Sequence, residues 1–449
     1  MPTIAAGASL TIPLLPGDTI DLDGIGTAQM VTAMPPNVDT SVKRFNVGAT
    51  LGPYPIGGNL SVVADPLSPV VYDIDRPSDN SGSPPRIAGS LIVENTSYLR
   101  VGNSFDGGTG AVTVANGMAR LVSDARGFTL TNVAVDGATI TGYVNSQYGS
   151  RVIAAGDNIS GTFGLNDLRY YGPLPAKRMQ FLQNFKASMA YLAIPDANKV
   201  HAGIIVDDAT DYNPEVTCLP NNAAWNGTAE FKGTGAAGRA LVTTTSGASL
   251  SAPVTGDTIF IWYGQSSGTA GIIVPSVDGQ TFASGSVGTD PIADSAEDTE
   301  LWMLNCIVIS GLTSGTHTVK LTTGNTSPVV ILAWAGINST SFSGANVYAV
   351  GIPSLRPQHW NIAPGYNGST QATSDSKPVD FYELGGAAAW NNGMRQVCAD
   401  LKAQGLNTNF VDVSGISFQN IATGDLHPLP VQHYLYAQAE LAVMASLRK

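Results

Sequence analysis

The chain is 449 residues long, 43% hydrophobic, only 12% charged, and carries 50 glycines and a formal net charge of −12. Disorder is excluded, because it needs low hydrophobicity together with high net charge. The acidic balance and the lack of a Lys/Arg stripe exclude a nucleic-acid backbone as partner.

In chain order, residues 1–90 read as β throughout. SLTIPLL, TAQMVTAM and LSVVAD are short, β-rich and bounded by PGD, GIG, GPYPIGG and PLSP turns. SDNSGSPP at 78–85 reads as a linker. The pattern then changes. SYLRVGN at 97–103 is an apolar run ending in glycine, followed by a Gly-rich loop and a helical segment near 115–125. FTLTNVAVDG predicts a second buried strand and SRVIAAG a third. Residues 173–192 predict a helix with Met179, Leu182, Phe185, Met189 and Leu192 on one broad face. Strands alternating with helices indicate a parallel α/β layer.

From about 200 to 343 the β signature returns, in RALVTTT, DTIFIWYG, GIIVPSVDG, LNCIVIS, HTVKLTTG and PVVILAWAGI, with turns about every ten residues, which favours a sandwich. VYAVGIP and NTNFVDVSG then flank a helix whose apolar positions are Trp390, Met394, Val397 and Leu401, and a last helix covers about 429–446. The α/β pattern is thus interrupted and resumed, which an insertion explains. The expected division is an all-β attachment or oligomerisation domain at 1–90, an α/β core at 91–199 and 344–449, and an inserted, jelly-roll-like sandwich at 200–343 as a candidate carbohydrate-binding module.

Cys218, Cys306 and Cys398 are too few and too scattered for a disulfide framework or a metal site, and are expected as buried small hydrophobes. The first residues lack a basic segment followed by an apolar run, so synthesis in a cytoplasm without a signal peptide is expected. No apolar run approaches the roughly 18 residues of a membrane span, so no membrane partner is expected. No cofactor pattern is present, and no metal site is expected: Asp207-Asp208 and Asp21-Leu22-Asp23-Gly24 read as solvated turns lacking the other ligands of a Ca²⁺ loop.

Serine hydrolysis needs a nucleophile, a base, a group that orients the base, and donors for the oxyanion. Two serines follow a strand and a glycine. Gly264-Gln265-Ser266-Ser267-Gly268 matches G-x-S-x-G, but that motif works only as a strand–turn–helix elbow, and here another strand follows, so Ser266 reads as a hairpin turn. Gly102-Asn103-Ser104 ends the first strand of the α/β portion, ahead of a loop and a helix.

The second site resembles the first block of the SGNH (GDSL-type) serine hydrolases. Asn132 to Thr139 (NVAVDGAT) resembles their second block, Gly164-Leu165-Asn166-Asp167 the third, and Leu426-His427-Pro428 the last. The resemblance implies a three-layer, flavodoxin-like α/β fold and a serine esterase. It also implies Ser104 as nucleophile, His427 as base, and the Ser104 and Gly137 N–H groups with the Asn166 amide as oxyanion hole. Two positions depart from the family pattern. Asn103 replaces the aspartate of Gly-Asp-Ser, where the family residue is mainly structural. The family's orienting aspartate would fall at Gly424, leaving Asp425, one residue later, as the candidate third member. His433 reads as surface or packing, and His201, His317 and His359 have no partner pattern.

The domain order, with IAAGASLTI, LGPYPIGG, YLAIPDANKV and GLNTNFVDVSG, further resembles SGNH-containing tail proteins of bacteriophages. This implies a virion tail fibre or spike, a homotrimer that contacts other tail or baseplate proteins, and host surface polysaccharide as partner and acetylated substrate. The alternative expectation is a catalytically inert, receptor-binding tail protein that keeps the fold as scaffold.

Overall fold

The computed structural model describes residues 95–149, 151–171, 175–206, 209–212, 215–225, 240–265, 271–282, 285–286, 303–353, 386–416 and 427–447, with the backbone of eight strands between residues 3 and 75. The chain forms two compact units: Met1–Arg86 with Gly415–Ser417 and Gln438–Lys449, and Ile87–Ser414 with Phe418–Ala437.

In the first unit the eight strands form two antiparallel four-stranded sheets. One runs in the order Thr3–Ile4, Val70–Asp75, Thr19–Asp23, Ala49–Leu51; the other Ser9–Leu14, Gly58–Ala64, Ile25–Val31, Lys43–Asn46. Asp21-Leu22-Asp23, read above as a turn, instead lies in a strand and pairs with Thr50 and with Val71 to Asp73.

The second unit holds a five-stranded parallel sheet. Its strands are β1 (Ser97–Arg100), β2 (Thr129–Asn132), β3 (Asn158–Thr162), β4 (Asn346–Val350) and β5 (Thr408–Val411), in spatial order β2-β1-β3-β4-β5. With it go α1 (Ser104–Gly107), α2 (Met118–Arg126), α3 (Ile140–Ser146), α4 (Leu165–Tyr171), α5 (Pro175–Ala193), α6 (Gly386–Ala403) and the part up to Ala437 of α7 (Pro430–Ser446). β4 is largely apolar and buried at every position, and β1 is buried at three of its four, as strands covered on both faces require.

Three expectations are corrected. β2 is not buried: it is one of the sheet's two edge strands, with Thr129 and Asn132 exposed. The third strand is not SRVIAAG, where Val152 is 67% exposed, but the adjoining, more polar Asn158–Thr162, buried at every position. Polar residues fit there because they are bonded: Asn158 Nδ2 donates to Asn95 O (3.0 Å) and Ser160 Oγ to Tyr348 O (3.1 Å). Met179 does not join the buried face of α5, being 62% exposed. That face runs through Phe181, Phe185, Met189 and Leu192, and Phe181 stacks on Trp390 of α6 at 4.6 Å.

Between α5 and β4 the described chain builds two larger antiparallel sheets and a two-stranded one, Gly203–Val206 with Ala209–Tyr212. Of the larger two, one contains Lys199–His201, Leu241–Thr243, Thr258–Gln265, Met303–Ile309 and Val329–Ile337; the other contains Thr217–Leu219, Ser249–Thr255, Ile272–Val277, Gln280–Thr281, Gly285–Ser286 and Thr316–Thr323. Trp225, Leu250, Ile259, Ile261, Ile273, Val319, Leu321 and Ile331 fill a shared apolar core. Trp262 Nε1 donates to Ala187 O (3.0 Å), joining this region to α5. Cys218 and Cys398 are buried free thiols; Cys306, also free, is half-buried, and burial pushes it and Cys398 up to about 12.

Candidate active site

The turn after β1 is built to present Ser104. Gly102 has φ +134°, and a Cβ there would lie 1.9 Å from Asp106 Oδ2, so only glycine fits. Asn103 caps α1: its Oδ1 accepts from Phe105 N (3.0 Å), while Asp106 Oδ2 accepts from Asn103 N (3.0 Å), a reciprocal capping box. Asn103 Nδ2 also donates to Tyr143 Oη (3.2 Å), freeing the tyrosine to donate to Thr162 O (2.8 Å). A carboxylate at 103 has no such donor, which accounts physically for asparagine there. Ser104 opens α1, 8% exposed, and its N–H has no acceptor among the described residues.

Beneath this turn lies a buried charged pair that sequence reasoning missed. Asp106 Oδ1 meets Arg100 Nη2 at 2.6 Å and Nε at 2.7 Å, both side chains fully buried. Thr162 N and Oγ1 (each 3.1 Å) also donate to Asp106, so every partner presents a proton and the site fits a carboxylate. Burial pushes the Asp106 carboxyl up, against the opposing pull of Arg100 and of the backbone N–H groups. Arg100 Nη1 continues to Tyr98 Oη (2.9 Å) and Ser160 Oγ (2.7 Å). Gln147 brackets Gly102, accepting from its N–H (2.6 Å) and donating to its carbonyl (2.9 Å). The available signal was Arg100 itself: a charge within an apolar strand demands a buried partner.

The expected oxyanion donors come from two further loops. Gly137 follows β2 with φ +77°, and its N–H likewise has no acceptor among the described residues. Val135 N donates to Gly102 O (3.1 Å), fastening this loop to the nucleophile turn. Asn166, buried in the first turn of α4, donates Nδ2 to Ala138 O (3.0 Å), which leaves its second amide hydrogen. Asp167 accepts from Ile140 N (3.2 Å). Short bonds thus link the loops of Ser104, Gly137 and Asn166.

His427 lies against the segment following α1. Its ring meets the Phe105 ring edge-on at 6.2 Å. A Cβ on Gly110, at φ +87°, would lie 2.9 Å from His427 Cβ and 2.5 Å from Pro428 O, so the two backbones are in close contact. His427 therefore stands beside the residue that follows Ser104. Asp425, Gly424, Ser266, Asp207, Asp208 and His359 lie outside the described residues. His433 is fully buried on α7. His317 pairs with Asp278 (2.7 Å) in the sandwich, and His201 lies in a strand of that region. Among the described residues no group of three or more His, Cys, Asp or Glu is placed to hold a metal ion.

No protein-family model matches the sequence, and no curated protein matches it. Similar solved structures include carbohydrate esterases. One is a two-domain esterase active on acetylated mannans, co-crystallised with mannopentaose (12% identity, 56% of this chain, 91% of that one, TM-score 0.28). Another is a Corynascus thermopiles (Myceliophthora fergusii) carbohydrate esterase family 2 enzyme with a carbohydrate-binding domain (10% identity, 99% and 95% coverage, TM-score 0.32). A family 35 carbohydrate-binding module from an environmental isolate matches 30% of this chain and 82% of its own (15% identity, TM-score 0.18). With TM-scores this low, none of them fixes the fold or the activity of this chain.

Proposed function

We propose that the chain is an SGNH-type serine esterase that removes O-acetyl groups from a polysaccharide. The observation that carries this reading is the pair of backbone N–H groups on Ser104 and Gly137, without an acceptor among the described residues and in loops hydrogen-bonded to each other, with His427 packed on Phe105, the residue after Ser104. Ser104 Oγ attacks the acetyl carbonyl as His427 takes its proton. The oxyanion accepts from Ser104 N, Gly137 N and Asn166 Nδ2, each such donor contributing about 3–4 kcal/mol. His427 returns the proton to the sugar alkoxide as the C–O bond breaks. Water, deprotonated by His427, then attacks the acyl-Ser104 carbonyl; the acyl C–Oγ bond breaks, His427 returns the proton to Ser104 Oγ, and acetate leaves. Asp425 is assigned to orient His427.

We further propose that the protein acts in the virion as a homotrimeric bacteriophage tail component, joined to other tail or baseplate proteins, with host surface polysaccharide as substrate. The segments IAAGASLTI and LGPYPIGG support that setting. Gly424, standing where the family keeps its aspartate, favours a second reading: an inert scaffold that binds the glycan without cleaving it.

Hydrolysis of p-nitrophenyl acetate separates the two. Wild type is expected to turn over and to be labelled by a serine-directed phosphonate, and Ser104→Ala to do neither. Equal rates in both proteins would refute the esterase and leave the binding protein.

A further inference from the structure

The segment carrying the nucleophile and the segment carrying the base lie more than 300 residues apart in sequence, yet one side chain holds both. His433, in the first turn of α7, accepts at Nδ1 from Met118 N (3.3 Å) and reaches Thr109 O with Nε2 (3.1 Å). Because Nδ1 faces an N–H, the ring proton sits on Nε2 and donates to Thr109 O. Thr109 and Met118 bracket the loop that follows α1. Met118 opens α2, whose own cap residue, Gly117, has no side chain to offer, so His433 serves as its cap from across the chain.

We propose that His433 is a positioning residue for the Ser104–His427 pair, clasping the nucleophile loop to the helix that follows the base. This rests on the esterase reading above. A second contact in the same seam supports it, the packing of Gly110 against His427 and Pro428. The bond pattern needs a neutral ring: the charged or titratable groups that face it are Arg100 and His427, and desolvation by burial lowers the His433 pKa to about 4. A protonated ring would turn a donor toward the Met118 N–H and break the clasp.

The test uses the full chain with p-nitrophenyl acetate. His433→Gln keeps an acceptor and a donor at about the spacing of the ring nitrogens, whereas His433→Phe keeps only bulk. Misplacement of catalytic groups by about 1 Å lowers rates on the order of 100-fold. His433→Phe is therefore expected to lose about that factor in kcat with KM little changed, and His433→Gln to recover most of it. Amide exchange across 108–118 should speed up in the Phe variant and not in the Gln variant. A folded His433→Phe with wild-type kcat, or with unchanged exchange across 108–118, would overturn the clasp. If the Phe variant does not fold, His433→Asn, too short to reach Thr109 O, carries the same readouts. Wild type that hydrolyses no faster than Ser104→Ala defeats the esterase reading instead, and the exchange measurement still decides the clasp.

Discussion

The α/β core and the inserted sandwich fill their interiors in opposite ways. Beneath α1 the core buries Arg100, Asp106, Asn103, Gln147, Tyr143, Ser160 and Thr162, each hydrogen-bonded to another member or to backbone. The centre of the sandwich is Trp225, Leu250, Ile259, Ile261, Ile273, Val319 and Leu321. Apolar packing loses stability gradually as atoms are removed. A buried polar network behaves differently, because one missing partner leaves the others desolvated and unpaired. The difference teaches that the core fixes one backbone position for Ser104, whereas the sandwich needs only to exclude water.

The largest expected effect tests that contrast. Asp106→Ala strands the buried Arg100 guanidinium and should cost about 3–5 kcal/mol, with loss of activity in the fraction that remains folded. Leu250→Ala removes a fully buried side chain from the sandwich and should cost about 2–5 kcal/mol, leaving kcat per folded molecule unchanged. Replacing both partners, as Arg100→Met with Asp106→Leu, should restore part of the stability, since Asn103 N and Thr162 N still lose their acceptor, and none of the activity. Urea unfolding alongside ester hydrolysis reads all three. An Asp106→Ala protein that is folded and fully active would remove the distinction between the two interiors.

The same contrast explains what the sequence made legible. Period-two and apolar runs located most of the sandwich strands and β1, β4 and β5, because buried apolar side chains leave a mark in the sequence that a buried charge such as Arg100 in β1 does not. β3 was missed because its residues are Asn158, Ser160 and Thr162, which enter a buried strand only with partners such as Asn95 O and Tyr348 O already in place. Motif spacing singled out Ser104, Gly137, Asn166 and His427. It could not supply Asp106, whose partners Arg100 and Thr162 come from two different strands, or the clasp at His433, whose partners Met118 and Thr109 lie 315 and 324 residues away. Long-range polar pairing leaves no periodic trace.

Two histidines extend the comparison to pH, with opposite signs. His433 in the core is held at about 4, chiefly by desolvation, while the unfolded chain titrates near 6.5. Between these values the unfolded state binds more protons. The His433 contribution should therefore be complete above about pH 6.5 and fall by about 3 kcal/mol as pH drops toward 4. His317 in the sandwich is shifted up, first by its hydrogen bond to Asp278. Its contribution is present below the unfolded value and lost as pH rises through the folded one. That second effect should be small, since the Asp278 side chain is 55% exposed and solvent screens the pair. Unfolding midpoints from pH 4 to 8 for His433→Gln and His317→Gln, each against wild type, measure both. Parallel rather than opposed slopes would refute the assignment.

The smallest expected effect concerns backbone strain. Val112, in the loop clasped by His433, has φ +67° and is 84% exposed. Thr113 N donates back to Ala111 O (2.7 Å), closing a γ-turn with Val112 at its tip. A β-branched residue there is strained, and no buried packing offsets it. The sandwich also has a positive-φ residue, Asp278 at +51°, but its carboxylate accepts from Thr318 N (2.8 Å) and bonds His317 (2.7 Å). Val112→Gly removes strain on the order of 1–3 kcal/mol and adds unfolded-chain entropy of about 0.5–1 kcal/mol. A net gain of about 1 kcal/mol is expected, while Asp278→Gly should destabilise through the bonds it loses. Thermal unfolding of the two variants decides the point: a stabilised Val112→Gly with reduced kcat would mean that the core holds this tip in place for the reaction, and a destabilised one would mean that Val112 makes contacts the strain argument does not count.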